Sequence, residues 1–499
     1  MKRYALFSLS KKSKEFVDLA RILIDKGFSI IATEGTLRFL KENGINASST
    51  SILTGFQSLM HEKVKTLNQL IHAMILCNRE NKEELEQISN VGLIDLIALN
   101  FYETSFESLD EFLSSLDIGG RALVNSAIKN FKYVTIIIDE KDCIDIIKEI
   151  KEKNEITYET KKKLAIKAFE YLINYEARAF SYFYEKLTND VSLFLFLKDG
   201  IKLKYGENPH QKAYFFKYST DEQLEYEILK GELSYNNFLD LNRVICLLGD
   251  LGENHCAIIK HTSPCGVARG QNAKDAFLKA YSSDPQSAYG GVLGISSIID
   301  KELAEIIYNY FFDLIIAKDF DEEAFKILNK KKKTRLIKVA NLGIKLKKGY
   351  NIRDVVNGIL IQERDLKDIE VHEMKFVSNK KPNQEEIKDA LFAWKVVKHV
   401  FSNAIVVAKN EMTLGIGSGQ PNRFYSTKIA LEKASEKANG AVLASDGFFP
   451  FRDSIDLAAN KGITTIIEPG GSIRDNEIID AANEHGIALI FTGIRCFRH

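Results

Sequence analysis

Lys260 and His261 stand side by side at the end of an apolar run, Cys256-Ala257-Ile258-Ile259, and Thr262-Ser263-Pro264-Cys265-Gly266 follow at once. A strand that delivers an ammonium and an imidazole onto a Pro/Gly turn sets a cation beside a proton acceptor. At a sheet's carboxyl edge, where α/β proteins bind ligands, that pairing suits acid–base chemistry. A buried histidine satisfied by a backbone carbonyl, with its lysine in solvent, leaves the same trace, so the dipeptide needs partners elsewhere in the chain.

Phosphate-binding features lie in the first third. Ser8-Leu9-Ser10-Lys11-Lys12-Ser13 follows one apolar run and opens a helical pattern, and Thr33-Glu34-Gly35-Thr36 does the same after the next. Free amides at a helix N-terminus, with hydroxyls and a lysine, suit a phosphate, although plain N-capping uses the same residues. Lys63-Val64-Lys65-Thr66 adds two cations and a hydroxyl ahead of a further helix. Asn100-Phe101-Tyr102 at a strand end, Asp117-Ile118-Gly119-Gly120 before a helix and Lys129-Asn130 near that helix's end supply groups able to pass protons.

The later region has its own polar clusters. Lys204-Tyr205-Gly206-Glu207-Asn208-Pro209-His210-Gln211 is a dense polar turn, and Asp284 to Gly291 reads as a tight turn before a strand. Ser402-Asn403 heads another strand, and Gly415-Ile416-Gly417-Ser418-Gly419-Gln420 ends a hairpin where backbone can approach a ligand closely. Phe448-Phe449-Pro450-Phe451-Arg452-Asp453 gathers three rings and an ion pair, suited to sandwiching a heteroaromatic ligand or to building a local core. Arg495 and Arg498 could grip phosphate with forked hydrogen bonds. Pro264-Cys265-Gly266-Val267-Ala268 lacks the second cysteine of P-C-x-x-C and no H-x-E precedes it, so no catalytic metal is expected.

These groups need a scaffold. The runs Tyr4 to Ser8, Phe28 to Ala32, Leu93 to Leu99 and Tyr133 to Ile138 read as buried strands alternating with amphipathic stretches, which predicts a parallel α/β sheet. Leu164, Ala168, Tyr171, Leu172 and Tyr175 predict a long helix over Lys161 to Lys186. All seven prolines lie after residue 200, which places the main boundary near Asp199-Gly200. Beyond it, Gly290-Gly291-Val292-Leu293 recurs as Gly440-Ala441-Val442-Leu443, each after a helical stretch. Each is followed by a helix, an apolar strand (Leu314 to Ala317; Thr464 to Ile467) and an acidic helix start. The pattern implies two similar α/β units.

With 499 residues the length suggests roughly three domains. Lysine plus arginine balances aspartate plus glutamate at 68 each, so no overall field recruits nucleic acid or an anionic membrane, and small ligands are favoured. The Lys330 to Lys333 run reads as a solvated loop. Six scattered cysteines without a CxxC pair, and no apolar segment able to span a bilayer, point to the cytoplasm.

In order and over essentially the whole length, the strings Lys204 to Gln211, Lys260 to Val267, Asp284 to Gly291, Gly415 to Gln420, Ser445 to Asp453, Pro469 to Asp475 and Phe491 to His499 resemble one family. It is the family of bifunctional purine-biosynthesis enzymes that combine aminoimidazole carboxamide ribonucleotide (AICAR) formyltransferase with inosinate (IMP) cyclohydrolase. The resemblance implies a methylglyoxal-synthase-like parallel-sheet domain over residues 1–195. Two tandem cytidine-deaminase-like α/β subdomains without zinc would follow over 200–499, at about 200–355 and 356–499. It implies formyl transfer from 10-formyltetrahydrofolate to AICAR, with His261 as base, Lys260 offsetting developing charge and Asn403 orienting the carboxamide. Lys204, Tyr205, Asp313 and Arg495 would contact nucleotide, and Asp453 with Phe448, Phe449 and Phe451 would hold the folate. Ring closure of the formylated product (FAICAR) would use the first domain. There Ser10, Lys12, Thr36, Lys63, Lys65 and Thr66 would bind phosphate, and Lys65, Tyr102, Asp117 and Lys129 would move protons and stabilise an oxyanion. A homodimer is implied, and a structural monovalent cation is left open.

Several positions depart from the family's pattern. Ser10-Lys11-Lys12 replaces S-D-K, Thr33-Glu34-Gly35-Thr36 replaces T-G-G-T, Asn68-Gln69 ends the stretch that otherwise reads H-P, Glu103 replaces proline and Lys204 replaces arginine. A lysine does not reproduce arginine's bidentate grip. Most departures fall in the first domain. Two alternatives therefore stand beside the bifunctional reading: a formyltransferase whose first domain only binds a phosphorylated regulator, and a non-catalytic nucleotide-binding protein.

Overall fold

The computed structural model describes residues 1–55, 64, 66–101, 107–217 and 225–499, so Lys63, Lys65 and Tyr102 lie outside the described residues. The chain divides into two compact units, Met1–Leu195 and Phe196–His499, close to the boundary expected from the prolines.

The first unit holds a five-stranded parallel sheet of β1 (Arg3–Leu9), β2 (Ser29–Ala32), β3 (Ala47–Ser49), β4 (Leu93–Asn100) and β5 (Thr135–Ile137), in the order β3-β2-β1-β4-β5. The expected strands are all present, and their apolar residues are buried because helices cover both faces of a parallel sheet. The three-residue β3 has no apolar run and was not expected. The long helix spans Tyr158–Thr188 and buries Leu164, Ala168, Leu172 and Tyr175, as the spacing requires. Thr157 caps it, and it ends at Asn189 with φ 57°. Between β1 and β4 the strand order reverses, which opens a crevice at their carboxyl ends.

The second unit is built on one mixed sheet of twelve strands. A hairpin of β6 (Lys198–Lys202) and β7 (Tyr214–Lys217) precedes it. One half of the sheet contains β8 (Glu227–Lys230), β9 (His255–Lys260), β10 (Ser263–Arg269), β11 (Val292–Ile299), β12 (Leu314–Phe320) and β13 (Arg335–Lys338). A second two-stranded hairpin, β14 (Tyr350–Val355) and β15 (Gly358–Glu363), stands apart from the sheet. The other half contains β16 (Lys375–Phe376), β17 (Ile405–Lys409), β18 (Met412–Gly417), β19 (Val442–Ser445), β20 (Thr465–Glu468) and β21 (Ala488–Phe491).

The order β16-β21-β20-β19-β17-β18-β10-β9-β11-β12-β13-β8 is the same six-strand pattern twice, joined at β10 and β18. The duplication read from the glycines is therefore present, but as one continuous sheet rather than two separate ones. The dividing line drawn at 355/356 falls in the turn between β14 and β15, so the repeats themselves end at β13 and resume at β16. In each repeat a glycine lets a helix cross its hairpin strand closely. A Cβ on Gly266 would overlap the Ala280 carbonyl oxygen, and one on Gly415 would overlap that of Ala430. Among the described residues no helix is long and apolar enough to cross a membrane.

Candidate active sites

In the first unit the crevice collects the expected polar turns. Asn100, the last residue of β4, accepts hydrogen bonds at Oδ1 from the backbone N–H groups of Ser10 and Lys11 (2.8 and 2.9 Å) and from Ser10 Oγ (2.9 Å). Its Nδ2 donates to the Lys11 carbonyl (2.9 Å), so the β1 turn is fastened to β4. Thr36 Oγ1 accepts from Leu9 N–H (2.8 Å), which ties the second turn to the same edge. Lys12 brings its ammonium over that turn, 3.9 Å from where a Cβ on Gly35 would stand.

Thr66 packs its Oγ1 against Gly119, where a Cβ would collide with it, beside the helix that Asp117 caps by accepting from Gly120 N–H (2.7 Å). That hydroxyl is buried and has no hydrogen-bond partner among the described residues. Phe101 floors the region, stacked on Tyr171 with centroids 5.1 Å apart, and Tyr171 Oη accepts its N–H.

Lys129 is placed differently. It ends the Ile118–Lys129 helix that Asp117 begins, and a helix of that length separates the two by about 18 Å. The two therefore do not share one proton-transfer cluster in this unit. His72, which sequence reasoning passed over, donates or accepts at Nδ1 with Ser126 Oγ (2.8 Å), and burial draws its imidazole below the ordinary range.

In the second unit His261 and Thr262 form the two-residue tip of the β9–β10 hairpin, with Ser263 opposite Lys260. Both tip residues have positive φ, 52° and 60°. That is the backbone a two-residue hairpin needs, and it is strained for a β-branched threonine, by about 1–3 kcal/mol. Pro264 and Gly266 lie within β10, not in the turn, so the expected Pro/Gly turn is a tighter hairpin. His261 is exposed. Lys260 Nζ donates to the Tyr289 carbonyl (2.8 Å) at the end of the Asp284 turn. Asp240 Oδ1 accepts Thr262 N–H (2.6 Å), and burial raises its carboxyl above the ordinary range.

Asn403 is fixed at both ends. Its Nδ2 donates to the Gln420 carbonyl (2.9 Å), and its Oδ1 accepts from Arg423 Nη2 (2.8 Å). Arg423, 7% exposed, is itself paired with fully buried Asp446. Asp446 also accepts from Ser402 Oγ and from Ala404 N–H. A cavity of about 500 Å³ opens here, lined by Ser402, Asn403, Gly419, Gln420, Pro421, Phe497 and His499. Ser263 Oγ donates to Ser418 Oγ (3.2 Å), which joins the His261 hairpin to this rim.

Arg495 lies over the rings of Phe448 and Phe497, at 4.9 and 5.9 Å, and stays exposed beside the same region. Asp313 accepts from Arg335 Nη1 (2.6 Å) and Asn237 Nδ2 (2.7 Å). Lys204 reaches over the Tyr205 ring at 5.8 Å, on the loop between β6 and β7.

Three expectations are corrected. Phe449 is 1% exposed and packs into the core, so it presents no ring face to a ligand. Phe451 is exposed under Arg474 instead, and the three rings do not cluster. Arg452 pairs with Asp456 and Glu484, which leaves Asp453 exposed at a helix start. Arg498 does not reach outward for phosphate, because its Nη1 donates to the carbonyls of Thr262 and His399, both at 2.9 Å. Among the described residues no three His, Cys, Asp or Glu gather as a metal site.

Asp240, Arg423 and Asp446 were missed from sequence. Each acts through a partner about 20 residues or more away, and no local pattern marks it; Asp446 alone sat inside a string already noted.

The family model described as AICARFT/IMPCHase bienzyme matches residues 127–433, and an MGS-like domain model matches residues 15–112. Among curated relatives, bifunctional purine biosynthesis protein PurH of Persephonella marina is 45% identical over 100% of both chains. The proteins of that name from Caldicellulosiruptor saccharolyticus and Bacillus cereus are 43% and 39% identical over the same full coverage. With a family model matching more than half of its length and relatives of up to 45% identity covering it in full, the chain belongs to the AICARFT/IMPCHase bienzyme family.

Proposed function

We propose that this chain carries out two consecutive steps of purine biosynthesis, formyl transfer from 10-formyltetrahydrofolate to the 5-amino group of AICAR and dehydrative closure of FAICAR to IMP. The observation that carries the reading is the β9–β10 tip, where an exposed imidazole is held on strained backbone next to a lysine.

The amine of AICAR is a poor nucleophile because its lone pair is delocalised into the ring. His261 takes a proton from it as the new C–N bond forms to the formyl carbon. The bond from that carbon to the folate nitrogen then breaks, and the nitrogen gains a proton. Lys260 keeps two N–H donors beyond its bond to Tyr289 and offsets charge on the formyl oxygen or the leaving nitrogen. Asn403 retains one N–H and one lone pair after its bonds to Gln420 and Arg423, enough to orient a carboxamide. Arg495, Tyr205, Lys204 and Asp313 contact the nucleotide. Phe448, Phe451 and Asp453 remain as folate contacts, without Phe449.

In the first unit Ser10, Lys12, Thr36 and Thr66 hold the phosphate, joined by Lys63 and Lys65. The carboxamide nitrogen attacks the new formyl carbonyl and water leaves, with Tyr102 and Asp117 moving protons. Both reacting groups sit on one ring, so positioning supplies much of the rate. A homodimer fits the β14–β15 hairpin, whose Val356, Ile359 and Leu360 are exposed although two isolated strands are marginal in water.

Thr66→Val tests the closing site. The hydroxyl it removes has no partner among the described residues, so folding stability is retained. The KM for FAICAR rises about tenfold or more, the cost of roughly 1.5–3 kcal/mol for a hydrogen bond to a charged group. An unchanged KM removes Thr66 from the phosphate site.

A further inference from the structure

Thr262 is held from both sides. Its N–H donates to Asp240 Oδ1 at 2.6 Å, and its carbonyl accepts from Arg498 Nη1 at 2.9 Å. Asp240 comes from the Tyr235–Leu251 helix, and Arg498 is the penultimate residue of the chain. Neither is free to follow the turn if it moves. Arg498 donates from the same nitrogen to the His399 carbonyl at 2.9 Å, stacks on Phe401 at 3.9 Å and accepts Ser402 N–H at its own carbonyl (2.8 Å). His399 is in turn bonded through Nε2 to Asp250 (2.9 Å) on that same helix. The hairpin itself does not supply this rigidity. A two-residue tip with a β-branched residue at φ 60° is strained, and such a conformation persists only where the surroundings over-determine it.

We propose that Asp240 and Arg498 are positioning residues for formyl transfer, gripping Thr262 by its N–H and its carbonyl so that the adjoining His261 imidazole is aimed at the acceptor amine. The proposal rests on the reading of His261 as the base. Half-buried Asp240 supports it, because its partial desolvation raises that carboxyl and a carboxylate kept in such a place needs a donor like Thr262 N–H. The grip also ties the base to Asn403, since Arg498 reaches Phe401 and Ser402 immediately before it.

Two substitutions in the full chain approach the grip from opposite sides. Arg498→Met removes the donor and Asp240→Ala the acceptor. Each lowers kcat for formyl transfer about 10- to 100-fold, the scale set by an ångström of misplacement, while KM for AICAR stays within about twofold. Asp240→Asn keeps an oxygen for Thr262 N–H and returns kcat to within about threefold of the parent. FAICAR closure by the same preparations, assigned above to the other unit, is unchanged, and it is AICAR binding at the parental KM, with a parental circular-dichroism melt, that reports the second unit as folded. If one variant fails to fold, the other decides. A folded variant with parental kcat, or a loss confined to KM, overturns the proposal. His261→Ala run in parallel separates the two ideas. Parental transfer by it removes the base itself, whereas its inactivity beside fully active grip variants removes only the grip.

Discussion

Glu468 closes β20 with its carboxyl group fully buried. Oε2 accepts Phe449 N–H at 2.8 Å, and Oε1 has no partner among the described residues. Burial pushes its pKa up to about 8, against the Phe449 amide, which pulls it down. The folded state therefore holds a proton that the unfolded chain releases above its own value near 4.5. Stability from this group is full below that value and is lost as pH rises toward 8. Glu468→Gln, neutral at every pH, is expected to stabilise the second unit by roughly 1–3 kcal/mol at pH 8 and to have little effect near pH 4.5. Urea unfolding at the two pH values measures this, and a gain that is equal at both contradicts it. Nothing in Glu468-Pro469-Gly470-Gly471 announces a buried carboxyl, because a glutamate ahead of a turn is ordinarily solvated. Lys260 and His261 were legible for the opposite reason, since an apolar strand leads straight into them and their neighbours in sequence fix their place. Phe449 misled because three rings close together in sequence point in different directions once the backbone turns.

Among elements, the hairpins β9–β10 and β17–β18 hold equivalent places in the two halves of the sheet, one carrying His261 at its tip and the other flanked by Asn403 at its open end. Each depends on a helix lying directly on a strand glycine, Gly266 under Ala280 and Gly415 under Ala430. Gly415→Ala forces the Arg423–Ala434 helix outward, and Arg423, at its first turn, holds Asn403. The expected cost is roughly 1–3 kcal/mol, or more, because backbone rather than a flexible side chain must yield. Denaturant unfolding checks it, and a loss below about 0.5 kcal/mol contradicts the close crossing. These glycines showed in the sequence as a pattern, but their purpose did not. Gly266 read as part of a turn with Pro264, whereas the turn is made by His261 and Thr262, the second a β-branched residue that rarely takes positive φ. The two-residue turn, with Ser263 opposite Lys260, carries Pro264 and Gly266 past the tip and into β10.

At the scale of the whole chain, balanced charge leaves no field to recruit a polymer, and each of the two compact units carries its own cluster of polar turns. The boundary near residue 200 and the internal duplication were both readable, because they rest on composition and on repeated local patterns. The fusion of the repeats into one twelve-stranded sheet was not, since it depends on the meeting of β10 with β18, strands far apart in sequence. Lys129 shows the same limit, a plausible partner for Asp117 in sequence that the helix between them carries to its opposite end. The function proposed above divides two reactions on one nucleotide between two units, with His261 serving only the first reaction. The direct measurement is His261→Ala in the full chain, assayed both for formyl transfer to AICAR and for closure of supplied FAICAR. Loss of a general base predicts transfer lowered by about 10²- to 10⁴-fold with closure at the parental rate. Transfer that persists near the parental rate, or closure that falls in step with it, contradicts the account.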